Sequence, residues 1–191
     1  MDHPDHLALI RNGIPAPGGI WADFGSGRGA FTLALADLLG PAASIWSVDR
    51  DARALRDQQA TFRARFPATQ LHPLVADFSR PLDLPPLDGA LLANSLHFLR
   101  DAEKDTALGL IRGYLRPGGH LIIVEYNTDR GNPWVPHPFS YPTWQTIAHR
   151  NGLTATRLLA ERHSRSSDIY AALSLRPPAT TSPPRKEKAA G

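Results

Sequence analysis

Residues 23–29 combine an acid with three glycines on alternate positions, a spacing suited to holding a polar ligand against the backbone. An apolar segment precedes this run, and a helical pattern follows it at once. Glycine lets the chain turn sharply and leaves backbone N–H groups open, because no Cβ stands in the way. The helix would add unpaired N–H donors and the positive end of its dipole. The pattern predicts a nucleoside-cofactor pocket, the alternative being a tight turn that binds nothing.

Polar residues also stand where three later strands are predicted to end. Asp49 follows the second strand, where a carboxylate can accept both hydroxyls of a ribose; otherwise it is a helix N-cap or a surface acid. Asp77 and Phe78 follow the third strand, where they could hold and cover an adenine ring, or form a loop acid beside a core phenylalanine. Asn94 and Ser95 follow the fourth strand at its carboxyl end, where open α/β sheets bind ligands. These positions strengthen the prediction of a nucleoside site.

The elements that must position these residues alternate between strand and helix from about residue 20 to residue 126. The predicted strands cover residues 20–24, 44–48, 71–75, 87–93 and 121–126, and the predicted helices cover residues 30–39, 51–65 and 101–115. Pro117-Gly118-Gly119 predicts the end of the last helix and a turn into the fifth strand. Continuous apolar strands separated by helices predict a parallel sheet covered on both faces.

The pattern changes after Tyr126. A loop of roughly fifteen residues carries prolines and aromatic side chains, which could line a substrate pocket or pin a surface loop. Two strands joined by a short polar turn should follow it as an antiparallel pair. The remaining predictions are a helix over 143–150, strands over 154–159 and 168–175, and one helical turn within 7–17.

Length and composition predict one ordinary soluble domain. The chain has 191 residues, of which 42% are hydrophobic and 20% charged, as in typical globular proteins. We expect residues 1–176 to form a single domain and residues 177–191 to be a disordered, basic, proline-rich tail. The lack of cysteine excludes disulfides, thiolate metal sites and a cysteine nucleophile. With no signal-peptide pattern and no apolar run long enough for a bilayer, we expect a cytoplasmic protein that does not associate with membranes.

The charge distribution disfavours nucleic acid as a partner. The formal net charge is +3, and the tail contributes most of it, with three basic residues against one acidic residue. The remaining body is close to neutral, which is weak support for a phosphate-binding surface. Arg157, Arg162 and Arg165 lie on the predicted hairpin, and we interpret them as part of a solvent-exposed face instead of a phosphate-binding surface. The sequence makes no prediction of the oligomeric state.

The Asp-x-Gly-x-Gly-x-Gly form of residues 23–29 resembles the first motif of the class I, Rossmann-like S-adenosylmethionine-dependent methyltransferases. Residues 115–124 resemble that family's turn into its fifth strand, and the similarity extends over roughly residues 18–176. Residues 25–30 also satisfy a relaxed dinucleotide pattern, but an acid two residues before the first glycine is typical of the methyltransferases. The resemblance implies an α/β fold: a doubly wound, seven-stranded, mostly parallel sheet in a three-layer sandwich. Its strand order would be 3-2-1-4-5-7-6, with strand 7 antiparallel.

The resemblance also implies S-adenosyl-L-methionine as the cofactor and no requirement for a metal. The cofactor-binding residues would be Asp23, Phe24, Gly25, Ser26, Gly27, Gly29, Asp49, Arg50, Asp77, Phe78, Asn94 and Ser95. Among them, Asp23 would lie near the amino group of the cofactor and Asp49 would bind its ribose diol. Asn94 and Ser95 would lie beside the sulfonium.

The acceptor is a separate question, and we expect a small molecule that receives the methyl group by direct displacement. A hydroxyl, amine or carbon acid can need a general base, and His97 at the mouth of the fourth strand is of a suitable residue type. Tyr126 is a second catalytic candidate, with Glu125 beside it, and His137 in the loop is another possible base. His97 could equally be a helix-start histidine bonded to the backbone.

Three alternatives stay open. The chain could be a protein or RNA methyltransferase with an exposed acceptor site, or a non-catalytic protein that binds S-adenosylmethionine. A nicotinamide-dependent oxidoreductase is disfavoured by Asp23 and by the lack of a Tyr-x-x-x-Lys pair. Asn94 is followed by Ser95 and Leu96, unlike the Asn-Pro-Pro-Tyr signature of enzymes that methylate nucleic-acid amino groups. With few residues before the first strand, we expect an acceptor pocket that is open or completed by a partner.

Overall fold

The computed structural model describes residues 1–163 and 168–179, which form a seven-stranded sheet between two layers of helices. The strands are β1 (Gly19–Phe24), β2 (Ala43–Asp49), β3 (Gln70–Val75), β4 (Leu87–Ala93), β5 (Leu115–Tyr126), β6 (Thr154–Arg162) and β7 (Ile169–Leu175). The helices are α1 (His3–Ile10), α2 (Ala30–Leu39), α3 (Ala52–Arg65), α4 (Asp101–Tyr114) and α5 (Tyr141–Arg150), with 3-10 turns at Arg11–Gly13 and Leu96–Phe98. Arg165 and most of the predicted tail lie outside the described residues.

The strand order is β3-β2-β1-β4-β5-β7-β6, as the resemblance implied. Strands β1 to β5 pair in parallel, whereas β7 runs antiparallel to both β5 and β6. The central strands are covered on both faces, which is why their sequences are continuous apolar runs instead of alternating ones. The prediction of a doubly wound, mostly parallel sheet with an antiparallel seventh strand is confirmed.

Helices cover both faces of this sheet. Residues of α4 and α5 pack on one face with side chains such as Phe24 of β1. Residues of α1, α2 and α3 pack on the other face with Trp21. Trp21 lies beside Gly89 of β4, where an added Cβ would come within 2.3 Å of the indole ring. None of the described helices is long and apolar enough to cross a bilayer.

The N-terminal segment contains more helix than the sequence indicated. Helix α1 spans His3–Ile10 and a 3-10 turn follows at Arg11–Gly13, so the helical turn predicted within residues 7–17 is present, but the helical segment begins earlier and is longer than predicted. A capping box stabilises its start: the Asp2 side chain accepts from the Asp5 N–H at 3.0 Å, and the Asp5 side chain accepts from the Asp2 N–H at 3.2 Å. Most helix stability comes from tertiary packing, and α1 buries its last turn in the core.

Strand β5 also differs from the prediction at its start. It begins at Leu115, directly after α4, instead of at residue 121. Leu115 pairs with Leu87 and His120 pairs with Gly89, so the pairing with β4 shifts register over residues 116–119. Helix α4 therefore ends just before Pro117-Gly118-Gly119 as predicted, but the predicted turn is a bulge-like irregularity within β5, where the Gly118 N–H donates to the carbonyl oxygen of Arg176.

The sheet brings the polar residues of the predicted site to one edge. The strand order reverses between β1 and β4, which pair with each other in parallel. The connections that follow β1 and β4 run to opposite faces of the sheet. This creates a crevice at the carboxyl ends of the two strands, and ligands of open α/β sheets bind in such a crevice. The glycine turn follows β1, and Asn94 follows β4, so both lie at this crevice.

Candidate functional site

Backbone hydrogen bonds to β2 hold the glycine turn between β1 and α2. The N–H groups of Gly25 and Ser26 both donate to the carbonyl oxygen of Val48, at 2.8 and 3.1 Å. Gly25 has φ +76°, and a Cβ there would lie 2.4 Å from the Cβ of Ser95. At Gly27, with φ +53°, a Cβ would meet nothing within 4 Å, so this part of the turn is accessible to a ligand.

A chain of buried polar side chains lies beneath the turn. Ser47 Oγ is 2.7 Å from both Ser26 Oγ and Gln58 Oε1. Gln58 Nε2 donates to Thr32 Oγ1 at 2.6 Å, and the Thr32 hydroxyl donates to Asp23 Oδ2 at 2.6 Å. Burial raises the pKa of Asp23 to about 7, although the bond from Thr32 opposes the shift. The acid of the glycine motif is therefore linked to the turn from below and changes charge near neutral pH.

Cavity A has a volume of about 450 Å³ and lies at the carboxyl ends of β2, β3 and β4. It is lined by Gly25, Asp49, Arg50, Ala76, Asp77, Phe78, Ser79, Arg80, Asn94, Ser95, Phe98, Leu99 and Glu103. Asp49 ends β2, and its carboxylate accepts the Gly27 N–H at 2.7 Å and the Asp51 N–H at 2.8 Å. These bonds fix the carboxylate at the cavity wall and leave each oxygen a further lone pair for a ligand.

Asp77 and Phe78 form another part of the wall of cavity A. The hydroxyl and the backbone N–H of Ser79 donate to Asp77 Oδ1, at 2.7 and 2.9 Å. These hydrogen bonds hold the pKa of Asp77 below its usual value, so the carboxylate is charged at neutral pH. The Phe78 ring packs near Phe24, with 6.3 Å between the ring centroids. A charged acceptor and a flat apolar ring therefore lie side by side.

Asn94 is held in an unusual conformation after β4. Its φ is +51°, and its N–H donates to the carbonyl oxygen of Val124 at 2.8 Å. Its side-chain Oδ1 is buried and has no hydrogen-bond partner in the part of the chain that the structure describes. A buried acceptor without a partner costs free energy, so the site favours a ligand that donates a hydrogen bond at this point.

Cavity B, with a volume of about 270 Å³, shares Gly25 and Asn94 with cavity A. It is lined by Met1, His6, Asp23, Gly25, Ser26, Gly27, Arg28, Ala30, Phe31, Ala93 and Asn94. The two cavities together form an extended site that runs from Asp77 past the glycine turn to Asp23. This shape suits a ligand that is longer than a nucleoside.

His97 is buried next to these cavities and bonded to a buried carboxylate. Its Nδ1 lies 2.7 Å from Oε2 of Glu125, and Glu125 Oε1 accepts the N–H groups of Leu96 and His97 at 3.0 and 3.3 Å. A charged Glu125 only accepts, so Nδ1 carries the proton and Nε2 is the basic nitrogen. The His97 ring lies 4.3 Å from the ring of Phe98 and 5.6 Å from that of Tyr126, measured between centroids.

Cavity C has a volume of about 390 Å³ and begins at Tyr126. It is lined by Tyr126, Asn127, Thr128, Asn132, Trp134, Val135 and Asp168. Asn127 Oδ1 accepts the Tyr141 N–H at 3.0 Å, and Asn132 Oδ1 accepts the Trp134 N–H at 2.9 Å, so both amides serve to shape the loop. Trp134 is 84% exposed, which leaves an indole ring available at the rim.

Buried contacts pin the inner side of the loop over residues 127–140. Lys104 Nζ donates to the carbonyl oxygen of His137 at 2.8 Å and lies 5.0 Å from the centroid of the Phe139 ring. The His137 N–H donates to the carbonyl oxygen of His97 at 3.0 Å. The loop is therefore fixed to α4 and to the segment after β4, while its outer side carries the exposed indole.

Most of the predicted cofactor-binding residues line cavities A and B. Those that do are Asp23, Gly25, Ser26, Gly27, Asp49, Arg50, Asp77, Phe78, Asn94 and Ser95. Phe24 and Gly29 line neither cavity, because Phe24 is buried in the core and Gly29 caps α2. Of the two catalytic candidates, Tyr126 lines cavity C, whereas His97 lines none of the three cavities.

Several residues reach the site only through tertiary contacts. Phe98 and Glu103 line cavity A, and His6 and Phe31 line cavity B. Gln58, which belongs to the chain of hydrogen bonds under the turn, comes from α3. Phe98 follows a residue that the sequence singled out, but the other four carry no motif, because their partners are distant in sequence.

Comparisons with known proteins agree with this geometry. A family model described as a methyltransferase domain matches residues 22–119. The O-methyltransferase cnsE of Penicillium expansum is 32% identical over 126 residues, a match that covers 64% of this chain and 43% of that protein. The chain thus spans less than half the length of this relative.

Solved structures share the fold. N-methyltransferase NodS from Bradyrhizobium japonicum WM9, in complex with S-adenosyl-L-homocysteine, superposes with a TM-score of 0.74 at 21% identity, covering 91% of this chain and 86% of that chain. Magnesium protoporphyrin IX methyltransferase (ChlM) from Synechocystis PCC 6803, with bound S-adenosylmethionine, gives a TM-score of 0.71 at 15% identity, covering 91% and 77%. At these identities the likeness is one of fold.

Proposed function

The chain belongs to the class I S-adenosylmethionine-dependent methyltransferases, and from that premise we propose that it methylates a hydroxyl group of a small molecule. The observation that carries the proposal is the position of Asp49, which holds the glycine turn and lines the same cavity as Asp77 and Asn94. That set matches the hydrogen-bond donors of a nucleoside. The choice of a hydroxyl acceptor draws on the relative named as an O-methyltransferase and on the buried His97–Glu125 pair.

The residues of cavities A and B fit the cofactor along its length. Asp49 would accept the ribose hydroxyls, while Asp77 and Phe78 would hold and cover the adenine. Asn94 Oδ1, buried and without a partner among the described residues, would accept a hydrogen bond from the bound cofactor. When bound, the sulfonium supplies an electrophilic methyl group. The chain's own residues then have to bind, orient and exclude water.

Cavity C supports the binding of a small acceptor. Its volume of about 390 Å³ lies within the usual range for small-molecule pockets. The exposed indole of Trp134 offers a face for stacking on a flat acceptor, and Tyr126 lies at the inner end. Residues of cavities A and C contact the His97 ring from two directions, since Phe98 lines cavity A and Tyr126 lines cavity C.

His97 is the group that we propose as general base. Glu125 accepts a hydrogen bond from the Nδ1–H of His97, which orients the ring and leaves Nε2 as the nitrogen with a free lone pair. The carboxylate of Glu125 is itself fixed by the N–H groups of Leu96 and His97. In this arrangement Nε2 would take up the proton of the acceptor hydroxyl as the hydroxyl oxygen replaces the sulfur on the methyl carbon, and the sulfur would leave as the neutral thioether of S-adenosylhomocysteine.

Calorimetry tests the cofactor, and a methylation screen tests the acceptor. S-adenosylmethionine and S-adenosylhomocysteine are expected to bind and NAD is not; binding of NAD alone would contradict the proposal. Hydroxylated small molecules incubated with methyl-labelled S-adenosylmethionine are expected to take up label. Labelling of protein or RNA instead would favour an exposed acceptor site. Cofactor binding without label in any acceptor would favour a non-catalytic binding protein.

A further inference from the structure

Helix α1 is fixed over the glycine turn by contacts at several points. His3 Nε2 lies 3.0 Å from Asp37 Oδ2 of α2, and Arg162 Nη2 of β6 lies 3.0 Å from Asp5 Oδ2. Leu9, on the last turn of the helix, is buried in the core together with residues of α2. The first turns of α1 consequently form a wall of cavity B.

His6 is the polar side chain that α1 contributes to this wall. It is 8% exposed, and its ring packs 4.6 Å from the ring of Phe31, measured between centroids. Within residues 1–163 and 168–179, no hydrogen bond involves a ring nitrogen of His6. Burial lowers its pKa, so at neutral pH the ring is uncharged and carries one N–H donor. Because His6 lines cavity B, this N–H is available to a ligand bound there.

The groups around His6 suit a ligand that carries one positive and one negative charge. Asp23 supplies a carboxyl group on the inner wall of cavity B. Ala30 and Phe31 begin α2, where the first backbone N–H groups have no intrahelical acceptor and favour an anion. Arg28 adds a guanidinium at the rim, with a side chain 77% exposed. An acid on one side and donors on the other match the ammonium and the carboxylate of an α-amino acid.

We propose that His6 donates a ring N–H hydrogen bond to the carboxylate of the amino-acid portion of S-adenosylmethionine, and that α1 closes that end of the cofactor site. The inference rests on the proposed function, because it assumes that the nucleoside lies in cavity A. Cavity B adjoins cavity A at Gly25 and Asn94, which is where the amino-acid portion would pass from one to the other. His6 is thereby a cofactor-binding residue outside the glycine motif.

Two ligands that differ only in the amino-acid portion test this assignment. S-adenosylhomocysteine carries the carboxylate, whereas 5′-methylthioadenosine has the same nucleoside and thioether without it. His6→Phe keeps a ring against Phe31 and removes the N–H donor. We expect calorimetry to give about tenfold weaker binding of S-adenosylhomocysteine to this variant and unchanged binding of 5′-methylthioadenosine. His6→Gln, which retains an N–H donor, is expected to recover most of the affinity.

Ala8→Ser is the matched control, because it alters the same helix at an exposed residue that does not line cavity B, and it should leave the binding of both ligands unchanged. Equal affinity of wild type and His6→Phe for S-adenosylhomocysteine would overturn the assignment alone, as would an equal loss for both ligands. Failure of wild type to bind either ligand would overturn the proposed function as well. If His6→Phe does not fold, imidazole ¹⁵N spectra of the wild type decide. The His6 signals should shift with S-adenosylhomocysteine and not with 5′-methylthioadenosine; identical shifts with both overturn the assignment.

Discussion

At the scale of residues, three carboxyl groups near the glycine turn differ in their surroundings and therefore in what they can do. Asp49 lines cavity A and is fixed by two backbone N–H groups, which leaves it further lone pairs that could accept hydrogen bonds from a ligand. Asp77 is kept charged by hydrogen bonds from Ser79. Asp23 is fully buried, and its pKa is raised to about 7. Asp49 and Asp77 thus present acceptor oxygens to cavity A, whereas Asp23 titrates in the physiological range.

Asp49→Asn tests the first of these roles. An amide retains the size of the side chain but replaces one acceptor oxygen by a donor, so it cannot accept both ribose hydroxyls. We expect S-adenosylhomocysteine to bind about tenfold to a hundredfold more weakly, as measured by calorimetry. Asp51→Asn is the control, because asparagine caps helices as well as aspartate and Asp51 does not line cavity A. An unchanged affinity in Asp49→Asn would remove Asp49 from the site.

The raised pKa of Asp23 predicts a pH-dependent cost to stability. The folded protein favours the neutral acid, whereas in the unfolded chain the same carboxyl loses its proton near its ordinary pKa of 3.8. The preference for the neutral acid therefore adds fully to the free energy of unfolding below pH 3.8. This stabilisation is lost as the pH rises to about 7. Asp23→Asn keeps the acceptor for Thr32 and has no charge to bury.

The free energy of unfolding of Asp23→Asn, relative to wild type, should therefore increase between pH 4 and pH 7, by on the order of 3 kcal/mol. Urea unfolding at several pH values measures this difference. The exposed Asp57→Asn serves as the control and should stay within about 0.5 kcal/mol of wild type. A constant difference for Asp23→Asn across this range would show that the acid is not desolvated as described.

At the scale of elements, the loop over residues 127–140 depends on α4 for its position. Lys104 is almost completely buried, and its ammonium group donates to the carbonyl oxygen of His137. The backbone N–H of the same residue, His137, donates to the carbonyl oxygen of His97. One side chain of α4 thus links the proposed acceptor loop to the segment that carries the proposed base.

Lys104→Met tests this link. Methionine fills a similar volume but cannot donate to the His137 carbonyl, so the loop should open locally more often. We expect the His137 N–H to exchange with deuterium about tenfold faster, which corresponds to the loss of roughly one hydrogen bond. Arg150→Met removes a more exposed ion pair with Asp105 and should leave that exchange rate unchanged. Equal protection in Lys104→Met and wild type would contradict the role of Lys104.

At the scale of the whole molecule, the sheet depends on a close fit between β1 and β4, the two strands that flank the site. Trp21 lies beside Gly89, and a Cβ at Gly89 would overlap the indole ring. Gly89→Ala should lower the free energy of unfolding by on the order of 2 kcal/mol, because neither strand can move without disturbing both cores.

Gly109→Ala is the matched comparison for this prediction. Gly109 lies within α4, and a Cβ there would meet nothing within 4 Å. Alanine favours the helix over glycine, so this variant should be more stable than wild type by up to about 1 kcal/mol. Urea unfolding of both variants checks the pair. Similar stabilities for the two alanine variants would rule out the proposed fit between the strands.

The element boundaries were predictable where local signals are strong. Helix α2 spans Ala30–Leu39 as predicted, since glycine stands at both ends of its apolar pattern. Strand β4 spans Leu87–Ala93, also as predicted. Helix α1 was largely missed because its stability depends on packing against α2 and β6, not on its own eight residues. The start of β5 was misplaced because a strand can continue through a bulge-like register shift, where proline and glycine look like the signal for a turn.

The sequence by itself determined the fold and the family, because both follow from local information: the order of apolar strands and helices, and a glycine turn preceded by Asp23. It also predicted that Asp49, Asp77 and Asn94 would lie close together, since residues that end parallel strands share one edge of the sheet, and these three line cavity A. Only the tertiary structure decided that His97 is paired with Glu125, that Gln58 lies under the turn, and that His6 lines cavity B. These contacts join residues distant along the chain, and no local spacing encodes a contact that packing creates.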